Sequence, residues 1–135
     1  MIIENNQPVA LLDELTQKAK INPRLRQTFD LRNSENDQSQ RVLNALEPGT
    51  EVPIHRHRKS TETVAVLRGK VRQSFYDDNG KLQKSIIISA GDSCPFYVVN
   101  INQWHKTESL ESGTIIFESK DGVYEPISQE DILIK

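Results

Sequence analysis

Gly49-Thr50-Glu51-Val52-Pro53-Ile54-His55-Arg56-His57-Arg58-Lys59-Ser60-Thr61-Glu62-Thr63-Val64-Ala65-Val66-Leu67-Arg68-Gly69 is the stretch around which the chain is organised. Read as a strand, His55 and His57 stand two apart, so both imidazoles leave the same face of the pleat. Arg58-Lys59-Ser60-Thr61 is a polar run that reads as a loop, and the strand beyond it can bring the Glu62 carboxylate alongside the two rings. Two imidazoles and a carboxylate converging on one point make a site for a divalent transition metal. The third and last histidine, His105, is the natural remaining ligand. For a single histidine the bland reading, structural or solvated, would lead. Here every histidine of the chain and the required carboxylate fall into one pattern.

Outward from that stretch, short apolar runs alternate with turn signals. Arg41–Leu46, Val52–His57, Thr63–Leu67, Val71–Tyr76, Leu82–Ser89, Phe96–Val99, His105–Leu110 and Gly113–Glu118 read as strands. Asn79-Gly80 is a hairpin signal between two of them. Strands at this rhythm argue for an all-β sandwich or barrel. Before them, residues 7–20 read as a helix, with Leu11, Leu12, Leu15 and Ala19 on one face, Asn6 as its cap and Pro8 in the first turn. Asn22-Pro23 ends it. Residues 24–40 are polar and poorly periodic, with an exposed turn at Asn33–Asp37. The tail around Ser128–Ile134 reads equally as a helical turn or a last strand. The organisation expected is therefore an N-terminal helix and extension over 1–38 and a barrel over 39–135.

A length of 135 residues favours one core, and 36% hydrophobic with 27% charged residues is a soluble composition. No apolar run approaches the ~18 residues of a membrane span, and the first residues lack the regions of a secretory signal. A single cysteine, Cys94, fits a reducing compartment and, by size and type, a buried apolar filler. A cytoplasmic location is expected. Net charge is −2 with no basic cluster interleaved with aromatics, which argues against nucleic acid as a partner. Arg56-Arg58-Lys59 reads either as a solvated loop or as an attractor of anionic ligands.

Gly49, five residues, His55-Arg56-His57, four residues, Glu62, six residues, Gly69 resembles the first cupin motif at every fixed position. The second motif is matched less well: Asn100 and Asn102 stand where proline and glycine are usual, Gly91 lies too far back, and Ser109 replaces the final Asn. Asn tolerates the left-handed conformation, so that turn can survive. More specifically, Ser39–Thr50, the metal motif, Val66–Lys70, Asp121-Gly122 and Tyr124 resemble the WbuC-type cupin-fold metalloproteins. The resemblance implies a small antiparallel β-barrel of jelly-roll (double-stranded β-helix) type, one bound divalent metal (Fe, Mn, Ni, Co or Zn) and a link to surface-polysaccharide metabolism. It implies a small-molecule ligand, with carbohydrate the leading class, and a homodimer to which the helix face would contribute.

Four protein ligands would saturate tetrahedral zinc, whereas an octahedral ion would keep two positions for water, substrate or O₂. Isomerase-like and dioxygenase-like chemistry on a sugar or sugar derivative both remain open, as does a non-catalytic ligand-binding or sensing module. Isomerisation needs a base: a metal-bound hydroxide, Glu47 or Tyr76. Arg41 and Asn44 enter the site region on opposite faces of one strand, so only one can point inward. Gln73 and Tyr76 have the same relation. Trp104 points away from the metal by alternation, and Tyr124 either closes the barrel mouth or caps its core.

Overall fold

Residues 9–133 are described by a computed structural model of the chain. Two five-stranded antiparallel sheets face each other in a cupin-like jelly roll, with one helix outside. The first sheet has the order β1 (Arg26–Asp30), β2 (Ser39–Leu46), β9 (Thr114–Asp121), β4 (Glu62–Arg68), β7 (Phe96–Val99). The second runs β10 (Ile132–Leu133), β3 (Ile54–His55), β8 (Trp104–Ser109), β5 (Lys70–Tyr76), β6 (Leu82–Ser89). The space between them is filled by the inward residues of both, Leu46, Val64, Val66, Val71, Ile88, Tyr97, Val99 and Ile116. Burial alternates along β4 and β7, the period expected of strands with one face inward.

Helix α1 (Val9–Ile21) lies on the outer face of the first sheet. Its stripe Leu11, Leu12, Leu15 and Ala19 packs on Leu43, Ala45 and Ile115, and Leu15 and Ala19 are fully buried there. That apolar face thus packs across the main body of the chain. The proposed cap Asn6 and first-turn Pro8 lie outside the described residues.

The polar stretch 24–40 holds a strand that its composition hides. β1 pairs with β2 along its whole length, yet Phe29 is its one large apolar residue, so no period of two shows in the sequence. The sheet therefore begins inside the segment read as an N-terminal extension. β3 is shorter than the expected 52–57: Pro53 has no N–H to give a ladder, and only Ile54–His55 is paired. The tail forms both alternatives in succession, a 3-10 turn at Gln129–Asp131 and then β10 against β3.

Gly69 joins β4 of one sheet to β5 of the other with φ +79°. A Cβ built there would lie 2.7 Å from the Thr114 Cα and closer still to its Oγ1, so the crossing needs glycine for space as well as for conformation.

Candidate metal centre

His55 and His105 are direct cross-strand partners on β3 and β8, and His57 stands just past the end of β3. The loop that carries His57 is fixed by its own carbonyl, which accepts from the Asn102 amide at 2.8 Å. Asn102 has φ +68°, the left-handed conformation that the second motif normally assigns to glycine. The three imidazoles therefore converge from two segments far apart in sequence, and their ligand atoms lie within 4.8 Å of one another.

The ring nitrogens are sorted by their partners. Nδ1 of His55 meets the Pro53 carbonyl at 2.9 Å, and Nδ1 of His105 meets that of Gln103 at 2.9 Å. A carbonyl can only accept, so each Nδ1 carries the hydrogen and each Nε2 presents a lone pair inward, as ligating histidines usually do. The Nε2 atoms of His57 and His105 are buried without any hydrogen-bond partner. Orphaned buried polar atoms are rare in folded proteins, and two of them aimed at one point fit a cation. Burial holds all three imidazoles below the ordinary histidine value, His57 to about 4, His105 to about 3 and His55 in the same direction. At neutral pH they are uncharged, the state in which imidazole ligates a metal.

Glu62, at the start of β4, is buried beside them. Its carboxylate oxygens lie 3.7 Å from Nε2 of His57 and 3.7 Å from Nε2 of His105. Two donors ~2.1 Å from one ion stand between about 3 and 4 Å apart, so these separations suit a shared cation. Lys120, opposite Glu62 across the β4–β9 ladder, donates to Oε2 at 3.0 Å. Burial alone would raise the Glu62 carboxyl; the Lys120 ammonium, with its hydrogen bond, outweighs this and holds it below the usual range. A ligating carboxylate is commonly hydrogen-bonded in this way.

The histidines and Glu62 form one wall of a cavity of about 260 Å³ that also meets Asn44, Thr107, Glu118 and Lys120. Of the paired sequence candidates, Asn44 reaches this cavity. Arg41 instead turns out to Asp37, at 3.0 Å. Gln73 faces the interior, fully buried, and accepts from Thr107 Oγ1 at 2.5 Å. Tyr76 is three residues along the same strand and so on its other face. Glu47 is spent elsewhere: its carboxylate accepts from Ser112 Oγ at 2.5 Å and the Gly113 amide at 2.7 Å, tying down the β8–β9 turn. Tyr124 is exposed beneath the Arg32 guanidinium and lines a separate outer groove of about 620 Å³ that shares His57 and Lys120 with the inner cavity.

Trp104 points away from the cluster, with Arg56 stacked 4.4 Å from its ring centre and its Nε1 donating to Asp78. Cys94 is exposed, against the expectation of a buried filler, because it sits in the turn before β7. The basic loop is largely neutralised. Arg56 and Arg58 both bind Asp131 in the tail, and Lys59 pairs with Glu125. What the sequence reading missed is Glu118 and Lys120, two charged residues that follow the apolar run Ile115–Phe117 of β9. Their alternate spacing on β9, at Ile116, Glu118 and Lys120, was the available signal.

The depressed histidines have a consequence for the metal-free protein. A folded-state pKa below the unfolded value means that the unfolded chain binds the proton more tightly. Stability due to these groups is present above the unfolded pKa of ~6.5 and is lost as pH falls towards about 4 and about 3. Thermal melts of chelator-treated protein are expected to drop by roughly 10 °C between pH 7 and pH 4, a loss of a few kcal/mol. His105→Gln, which cannot charge, should flatten that slope; a melting temperature independent of pH in the parent protein would refute the assigned burial.

A small antiparallel jelly roll with a cluster of histidines able to hold a metal between its sheets has the fold of a cupin. The family model described as Domain of unknown function (DUF6016) matches residues 8–88, and the chain belongs to that family. No curated protein matches it. Among solved structures it resembles CapF, the capsular polysaccharide assembling protein of Staphylococcus aureus, with TM-score 0.63 and 18% identity over 73% of this chain and 27% of CapF. Oxalate oxidase in complex with glycolate gives TM-score 0.64 and 18% identity over 80% of this chain and 56% of that one. KdgF from Halomonas sp. gives 0.58 and 16% over 76% and 83%. The chain spans about a quarter of CapF's length and little more than half of oxalate oxidase's. At these identities the likeness is one of fold.

Proposed function

We propose that this chain is a divalent-metal-dependent cupin that acts on a small hydroxylated molecule, with His55, His57 and His105 as imidazole ligands and Glu62 as the carboxylate ligand. The observation that carries the proposal is the pair of buried, unpartnered Nε2 atoms facing a cavity that Asn44, Thr107, Glu118 and Lys120 also line. A bound divalent ion would supply Lewis acidity, polarising a ligand oxygen. The chain's own part is to present three neutral imidazoles, to hold the carboxylate ionised through Lys120, and to enclose the ligand.

Cavity size limits that ligand. A liquid water occupies ~30 Å³, so about 260 Å³ accommodates a molecule of roughly monosaccharide size and excludes a disaccharide from the inner chamber. Such a ligand, the resemblance to WbuC-type cupins and the fold shared with CapF, a capsular polysaccharide assembling protein, together support a role with sugars of surface polysaccharides. A cytoplasmic location is supported by the single exposed thiol of Cys94.

Calorimetric titration of the metal-loaded and chelator-treated protein with three- to six-carbon hydroxy-ketones and aldoses tests the reading. Saturable binding is expected for the loaded form alone, with turnover followed by NMR. Binding without turnover at any metal would make the chain a ligand-binding module. Equal binding with and without metal would sink the proposal.

A further inference from the structure

Moving a proton between carbons requires a base, and the groups nearest the cluster are committed. The three imidazoles present their lone pairs to one point, Glu62 is held by Lys120 at 3.0 Å, and Glu47 closes a distant turn. Glu118 is left. It stands opposite Val64 on the β4–β9 ladder, where Glu62 stands opposite Lys120. Its carboxylate therefore enters the cavity two residues deeper than Glu62, an offset of ~7 Å along the strand. A ligand oxygen at the histidines would place its first carbons within that layer.

The surroundings of Glu118 also point to a ligand. Asn44, which also lines the cavity, hydrogen-bonds its carboxylate, yet Asn44 Oδ1 is buried with no partner. An unfilled acceptor at the cavity wall suits a ligand hydroxyl, which can donate to it.

We infer that Glu118 is the proton-transfer residue of this site, acting on a hydroxy-ketone or hydroxy-aldehyde that spans from the histidine cluster to Asn44. The assignment rests on the metal-dependent reading above. In the step, the C–H bond beside the carbonyl breaks and its proton goes to Glu118. The electron pair forms the C=C bond of an enediolate, and the carbonyl oxygen takes the negative charge. Glu118 then returns the proton to the neighbouring carbon, and the hydroxyl proton passes between the two oxygens. No oxidant or reductant is needed. In the metal-free chain burial first, and then the charge of Glu62, raise the Glu118 carboxyl to about 7.

The test compares wild type, Glu118→Gln and Glu118→Asp, each carrying the metal that the wild type holds as purified, with dihydroxyacetone as the probe in D₂O. Expected for Glu118→Gln are an unchanged metal content, a probe affinity within a few-fold of wild type, and deuterium exchange into the probe slowed by about a hundredfold or more. Glu118→Asp should recover part of the rate. In the chelator-treated proteins near neutral pH, the infrared band of a protonated carboxyl should be weaker in Glu118→Gln than in wild type. Exchange at the wild-type rate in Glu118→Gln would overturn the assignment. A wild type that binds metal and probe but exchanges nothing would also overturn it, leaving the metal site standing. A wild type without metal would remove both.

Discussion

Replacing His105 by alanine is expected to lower the affinity for the divalent ion by more than about a hundredfold, since removal of a mere supporting hydrogen bond to a ligand already costs ~10–100-fold. His105 is 1% exposed, its Nδ1 is anchored by the Gln103 carbonyl, and its Nε2 has no other partner. Nothing nearby can take its place, because the other imidazoles already belong to the cluster. The variant should still fold, as the apolar layer beneath the site does not include His105. Competition titration against a chelating dye reads the affinity, and circular dichroism reads the fold. Retention of wild-type affinity in a folded His105→Ala protein would show that the ion, if bound, sits elsewhere.

Gly69→Ala should be the most damaging small substitution away from the site. The residue has φ +79°, and an added Cβ would fall 2.7 Å from the Thr114 Cα, which is backbone and cannot swing aside. The left-handed conformation costs a non-glycine residue ~1–2 kcal/mol, and the forced shift of packed backbone a further ~1–3 kcal/mol. Together these predict a loss of roughly 2–5 kcal/mol, or about 10 °C in melting temperature. The strain falls where the chain crosses from one sheet to the other, and Thr114 Oγ1 bonds the Lys70 amide and the Glu111 carbonyl there. Gly91→Ala is the control: a Cβ there meets nothing within 4 Å, and it should be nearly neutral. Equal stability of the two variants would contradict the packing described at the crossing.

Much of this structure was legible because the chemistry of the site and the geometry of strands leave marks of fixed period. His55, His57, Glu62 and His105 could be picked out because histidine is scarce here and its spacing matched a known motif. The strands from β4 to β9 announced themselves by apolar runs between turns. β1 did not, since an edge strand covered on one face by a helix needs few apolar residues of its own. Glu118 and Lys120 escaped notice for the opposite reason. A charge turned towards a cavity is so costly that the solvated reading is the natural default, and only the ladder shows that Glu62, Glu118 and Lys120 line one cavity. Equally hidden was the fate of the basic loop, whose Arg56 and Arg58 meet an aspartate some seventy residues away.

X-ray absorption at the metal edge of protein purified without an affinity tag addresses the central claim most directly. One equivalent of a divalent transition metal is expected, with outer-shell scattering from three imidazole rings and a shell that changes when Glu62 is replaced by glutamine. A spectrum without imidazole scattering, or a protein that carries no metal and takes up none, would contradict a metal centre built on His55, His57 and His105.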